Sequence, residues 1–143
     1  MMPFEHFLNK GDVRKVAINK ELAKSLTKDM FERINKSLML NINTFSKIVF
    51  ENIYDGLRGF CDSLLALEGF KSYSHQASIA YLSKYKFDIS IIKEFDQLRY
   101  KRNGSKYYGE IILKEDAQQI KEFYLRVKDR INKIIKDKKL IKN

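Results

Sequence analysis

Few residues in this chain act as breakers or staples. Its 143 residues include one proline and six glycines. Long segments therefore run uninterrupted, which disfavours a turn-rich β fold and favours helices. Cys61 is the only cysteine, which excludes an internal disulfide and fits a reducing, cytoplasmic setting. The two histidines, His6 and His75, lie far apart and do not give zinc spacing with that cysteine. No metal and no cofactor is expected. Glycine-rich phosphate loops of the two familiar kinds are missing. No run approaches the roughly 18 apolar residues that span a bilayer. The opening MMPFEHFLNKG lacks the charged-then-apolar layout of a secretory leader. The expectation is an intracellular protein with no membrane partner.

Positive charge is abundant. Lysine and arginine number 28 against 18 acids, a formal charge of +10. Such a surface attracts polyanions, and nucleic acid is the commonest of these. The lysine excess has a second reading, as a habit of genome composition or of a hot habitat. A hydrophobic fraction of 44% supports one folded domain over residues 1–143. Its core is expected at 20–135, with a loosely attached N-terminal segment at 1–19 and a frayed basic tail at 136–143.

The apolar periodicity is helical. Leu22, Leu26, Met30, Ile34 and Leu38 recur at steps of four behind Asn19, a candidate N-cap. A second helix is expected from Phe45 to Glu68, capped by Asn43 or Thr44 and closed by Gly69, with Gly56 and Gly59 inside it. Those two glycines serve either close helix–helix contact or space for a ligand or second subunit. A third helix is expected at Tyr73–Lys84 behind Ser72 or Ser74, and a fourth from Ile89 to about Asn103, ending at Gly104. An extended turn follows, with a strand-like piece at Glu110–Leu113. A fifth helix begins near Glu115 and buries Ala117, Ile120, Tyr124, Val127, Ile131 and Ile134. Short loops between helices imply antiparallel neighbours. The expected fold is all-α, an up-and-down bundle of four to five helices with two long antiparallel ones.

One feature breaks the bundle logic. Stepping back from Arg102 at helical spacing gives Leu98, Phe95 and Ile91, all apolar. A guanidinium cannot shed its proton, so placing it on an inward face requires a partner. Either an acid such as Asp55 or Asp62 neutralises it, or an anion binds there. Arg99 lies three residues away on the same face, and Asn103, Lys106, Tyr107 and Tyr108 follow. Guanidinium geometry suits phosphate oxygens, and tyrosine rings offer stacking faces.

The second helix YDGLRGFCDSLLALEGF, the following KSYSHQASIAYL, and LRYKRNGSKYYGE before a long last helix resemble, in that order, a HEPN domain (higher-eukaryote and prokaryote nucleotide-binding). The likeness covers about Lys20 to Ile135. It is greatest to small prokaryotic HEPN proteins that accompany a minimal nucleotidyltransferase. The resemblance implies a homodimeric helical bundle. It also implies a family in which many members are metal-independent ribonucleases or toxins. The family motif is Arg, often a polar residue, four to six further residues, then His. Arg102 and Asn103 match its start. The position five after Arg102 is Tyr107, and no histidine follows. Histidine exchanges protons near neutrality whereas tyrosine, near pKa 10, is a poor base there.

The implied function is therefore binding of RNA or a nucleotide, in a toxin–antitoxin-like pair with a nucleotidyltransferase. Arg99, Arg102, Asn103, Lys106, Tyr107 and Tyr108 would form the phosphate and base contacts, supported by His75, Asp55 and Asp62. The alternative is a metal-independent endoribonuclease using Arg102 with Tyr107 in the histidine position, or with His75 substituting if the fold brings it close. A tyrosine of the Tyr107–Tyr108 pair is also a possible modification acceptor for the partner enzyme.

Overall fold

The computed structural model describes residues 1–141. Those residues are mostly helical, with six α-helices, a 3-10 turn and one two-stranded sheet. The helices are α1 (Phe4–Lys10), α2 (Lys20–Leu38), α3 (Ser46–Glu68), α4 (His75–Ala80), α5 (Ile89–Tyr108) and α6 (Lys114–Asp137). Strands β1 (Val13–Lys15) and β2 (Phe70–Ser72) pair antiparallel, Arg14 facing Lys71.

Helix α3 is the centre. It buries Phe50, Ile53, Tyr54, Leu57, Phe60, Leu64 and Leu65, and α2, α4, α5, α6 and β2 all pack on it. Its most extensive contact is with α2. That helix buries Ala23, Thr27, Met30, Ile34 and Ser37, a seam stepping by four and three. A strict step of four drifts off a 3.6-residue turn, which is why Leu22 ends up exposed. Asn19 caps α2 as expected, its Oδ1 accepting from the Leu22 N–H at 3.0 Å. Helix α6 buries Ala117, Ile120, Phe123, Tyr124, Val127, Ile131 and Ile135, one position on from the predicted Ile134 at its end.

The ends of the chain depart from expectation. Phe4, Phe7 and Val13 are core residues, so the segment read as loose is docked. Phe4 packs its ring against Phe70 and Tyr81. The tail read as frayed from 136 stays helical to Asp137, and Leu140 is buried; residues 142–143 lie outside the described residues. The predicted third helix, Tyr73–Lys84, is divided into α4 and the 3-10 turn Tyr81–Tyr85, and the residues just before it form β2. Ser74 caps α4, accepting from the Ala77 N–H at 3.2 Å. Helix α3 starts at Ser46 with no side-chain cap, while Asn41 accepts from the N–H groups of Asn43 and Thr44.

The largest difference concerns the end of α5. The sequence reading stops it at Gly104, but the helix runs to Tyr108 and stops at Gly109, which takes the left-handed conformation at φ 69°. Gly104 is buried inside the helix, where a Cβ would fall on the Glu110 carboxylate. The glycine makes room for that side chain to fold back. Residues 110–113 form no strand. Asp116 accepts from the Leu113 N–H at 2.8 Å and pairs with Lys101 at 3.5 Å, fixing the corner between α5 and α6.

Candidate functional site

The face of α5 that meets α3 carries Phe95, Leu98, Arg102 and Ser105, all buried. Arg102 is 7% exposed. Its Nη2 donates to both oxygens of Asp55, at 3.1 and 3.3 Å. Of the two acids read as partners, Asp55 is therefore the one used. The Arg102 guanidinium also lies over the Tyr54 ring, 5.9 Å from its centroid. Its Nε and the Ser105 Oγ one turn on are buried without a hydrogen-bond partner.

Helix α3 presents Tyr54, Asp55, Arg58 and Asp62 toward α4 and α5. The Tyr54 hydroxyl and His75 Nδ1 are 3.0 Å apart. Burial pushes the Tyr54 phenol above its ordinary value, against the pull of Arg58, Arg99 and Arg102. The phenol keeps its proton and can donate it to Nδ1. Burial, then Arg58 and Arg102, push His75 down to about 4, so the imidazole is neutral at pH 7. Asp62 accepts from Ser78 Oγ at 2.8 Å and faces Arg58 Nε at 3.6 Å. Burial raises its carboxyl, opposed by Arg58 and Ser78. Among the sequence-predicted residues, Arg102, Asp55, Asp62 and His75 thus share one cluster, in which Arg102 is buried and the other three are half-buried. Tyr54, Arg58 and Ser78 complete it. The first two sit at the four-residue spacing that leads to Asp62 along α3, a signal the apolar periodicity overshadowed.

The remaining predicted residues gather elsewhere. Arg99, Asn103, Tyr107 and Tyr108 line a groove of about 340 Å³ with Tyr100, Gly104 and Glu110. Arg99 Nε donates to Asp96 at 2.7 Å. Lys106 Nζ sits over the Tyr107 ring at 5.6 Å. Tyr100, Tyr107 and Tyr108 are 74%, 64% and 82% exposed. Tyr100 escaped the sequence reading because it was placed inside a helix that ended early. Extending α5 by a turn aligns it with Tyr107 and Tyr108.

This geometry corrects two expectations. Arg102 is an interior residue held by Asp55, not an open phosphate ligand. Nor do Arg102 and Tyr107 converge, because five residues along an α-helix rotate the side chain by about 140°. One points into the protein and the other into solvent.

Among the described residues no group of three or more His, Cys, Asp and Glu is placed to hold a metal ion, and no helix is long and apolar enough to cross a membrane. Comparison with protein-family models, with curated proteins and with solved structures returns no match.

Proposed function

We propose that this chain is a HEPN-type bundle that binds RNA or a nucleotide through the groove at the end of α5. One observation carries the reading: three tyrosines stand largely in solvent around a groove lined also by Arg99, Asn103 and Glu110, with the Lys106 ammonium over the Tyr107 ring. Exposed aromatic faces beside cations suit single-stranded nucleic acid, in which bases stack on rings and phosphates meet the positive groups. The net charge of +10 supplies the long-range attraction. Arg102 acts as a structural residue. Its ion pair with Asp55 ties α5 to α3 and contributes to the stability of the fold rather than to the groove itself.

The resemblance stated above supports a homodimer and a toxin–antitoxin-like pairing with a nucleotidyltransferase, with Tyr107 or Tyr108 accessible to a modifying partner. The test is binding of a labelled single-stranded RNA at several salt concentrations. Tyr107→Ala/Tyr108→Ala is expected to weaken binding about tenfold or more, given roughly 1–3 kcal/mol per stacked base. Unchanged affinity would remove the groove from the account.

A second reading, metal-independent RNA cleavage, rests on His75 Nδ1 standing 3.0 Å from the Tyr54 hydroxyl, with Arg102 over the same Tyr54 ring. Burial and the guanidiniums hold the imidazole down to about 4, so it is a weak base at pH 7 and the expected turnover is slow. In that reading His75 rather than Tyr107 moves the proton from the ribose 2′-hydroxyl. EDTA-resistant cleavage that falls about 10²–10⁴-fold in His75→Asn supports it. Equal cleavage by both proteins identifies a contaminant.

A further inference from the structure

The two-stranded ribbon presents a second basic surface, built from residues other than those of the groove. Arg14 and Lys71 are direct cross-strand partners and both are exposed. Like charges placed opposite each other destabilise a ribbon. Among the described residues neither forms an ion pair. The nearest acids in sequence are both engaged elsewhere, Asp12 by Lys10 at 3.5 Å and Glu68 by Lys84 at 4.0 Å and the Tyr81 hydroxyl. Tyr73, 60% exposed, stands two residues beyond Lys71 on the same face. The Arg14 guanidinium and the Lys71 ammonium each lie 5.5 Å from its ring centroid. The ring therefore stands near both cations. Its backbone is fixed as well, since the Tyr73 N–H donates to the Asp12 carbonyl at 2.8 Å. The ribbon is also anchored from below, where Val13 is buried in the core.

A pair of cations opposed across the ribbon, with no acid partner among the described residues, is an arrangement that stability alone does not favour. A bound phosphate would relieve it. We infer that the Arg14–Lys71–Tyr73 face binds the phosphodiester backbone of single-stranded RNA, as a second contact on the strand held by the α5 groove. This extends the RNA-binding reading to a separate surface. The thirteen α3 residues Gly56–Glu68 lie between Asp55, which pairs with Arg102, and the Gly69 that leads into β2, a rise of about 21 Å along the helix. Tyr73 is only two residues from His75, at most about 7 Å of chain, so the Tyr73 end of the ribbon lies near His75.

The test compares wild type, Arg14→Gln/Lys71→Gln and Tyr107→Ala/Tyr108→Ala for single-stranded RNA binding across salt, with phosphatidylserine vesicles as a second probe. Removing two phosphate contacts is expected to flatten the slope of log affinity against log salt by about 1.4, at about 0.7 per contact. The ribbon variant is expected to melt no lower than wild type, because the opposed charges are gone. An unchanged slope in the ribbon variant, with the tyrosine variant weakened, overturns the ribbon and leaves the groove standing. The reverse pattern supports the ribbon and removes the groove. Unchanged RNA binding with lost vesicle binding in the ribbon variant overturns the inference in favour of a lipid headgroup. No RNA binding by wild type overturns both.

Discussion

Asp55 keeps 32% of its side chain in water while Arg102 keeps 9%, and that asymmetry orders two substitutions. Asp55→Ala strands a guanidinium that cannot deprotonate, and it is expected to cost about 1–3 kcal/mol, below the range for a fully buried pair because solvent screens this one. Arg102→Met removes the interior charge, keeps an apolar stem, and leaves a carboxylate that water can reach. It is expected to cost less, and urea unfolding of the two variants checks the order. His75 adds a pH signature. Its folded value near 4 lies below the ordinary 6.5, so between those limits the unfolded chain takes up a proton that the fold refuses. Stability is then complete above pH 6.5 and declines as pH falls toward 4. Asp62 acts in the opposite sense, since a raised carboxyl favours the fold at low pH and loses that contribution as pH rises through its folded value. The difference between wild type and His75→Gln in urea midpoints at pH 7.5 and 5 isolates the histidine. The variant is expected to lose less on acidification.

Between elements, the two glycines of α3 separate cleanly. A Cβ at Gly56 would meet Ile34 Cγ1 at 2.8 Å, and Ile34 is fully buried and cannot swing aside. Gly56→Ala is expected to cost about 1–3 kcal/mol by overpacking the α2–α3 seam. At Gly59 the nearest atom is the Leu26 carbonyl oxygen at 3.8 Å, an ordinary contact, so Gly59→Ala is expected to gain up to about 1 kcal/mol from helix propensity. Thermal melts of both variants decide this. The sequence placed both glycines in a helix but could not tell them apart, because the answer depends on which α2 side chain lies opposite. The helical content, the Asn19 and Gly69 caps and the buried stripe of α6 were all legible as local patterns. The end of α5 was not. Gly104 reads as a stop until the Glu110 side chain is known to occupy the space beside it. Strands β1 and β2 were equally hidden, since each has three residues and they pair across more than fifty positions. The inward arginine and its partner acid were visible as a conflict between charge and periodicity. The role of Arg102 was not, because a site facing solvent and an ion pair facing the core share the same spacing.

At the scale of the whole molecule, the cationic surface and the exposed aromatics make one prediction together. Affinity for single-stranded RNA should fall steeply with salt, as counterion release requires. Glu110 places a carboxylate in the groove, so Glu110→Gln is expected to tighten binding at low salt, read by the same titration. The Arg102–Asp55 pair should matter less than the groove. Arg102→Met, if folded, is expected to retain most of the affinity that the tyrosine variant loses. The most direct measurement is therefore a fluorescence-anisotropy titration of a short single-stranded RNA with wild type, Tyr107→Ala/Tyr108→Ala and Arg102→Met side by side. Loss of about tenfold or more in the tyrosine variant, with Arg102→Met close to wild type, is the predicted result. Undiminished binding by the tyrosine variant, or collapse of binding in a well-folded Arg102→Met alone, would contradict it.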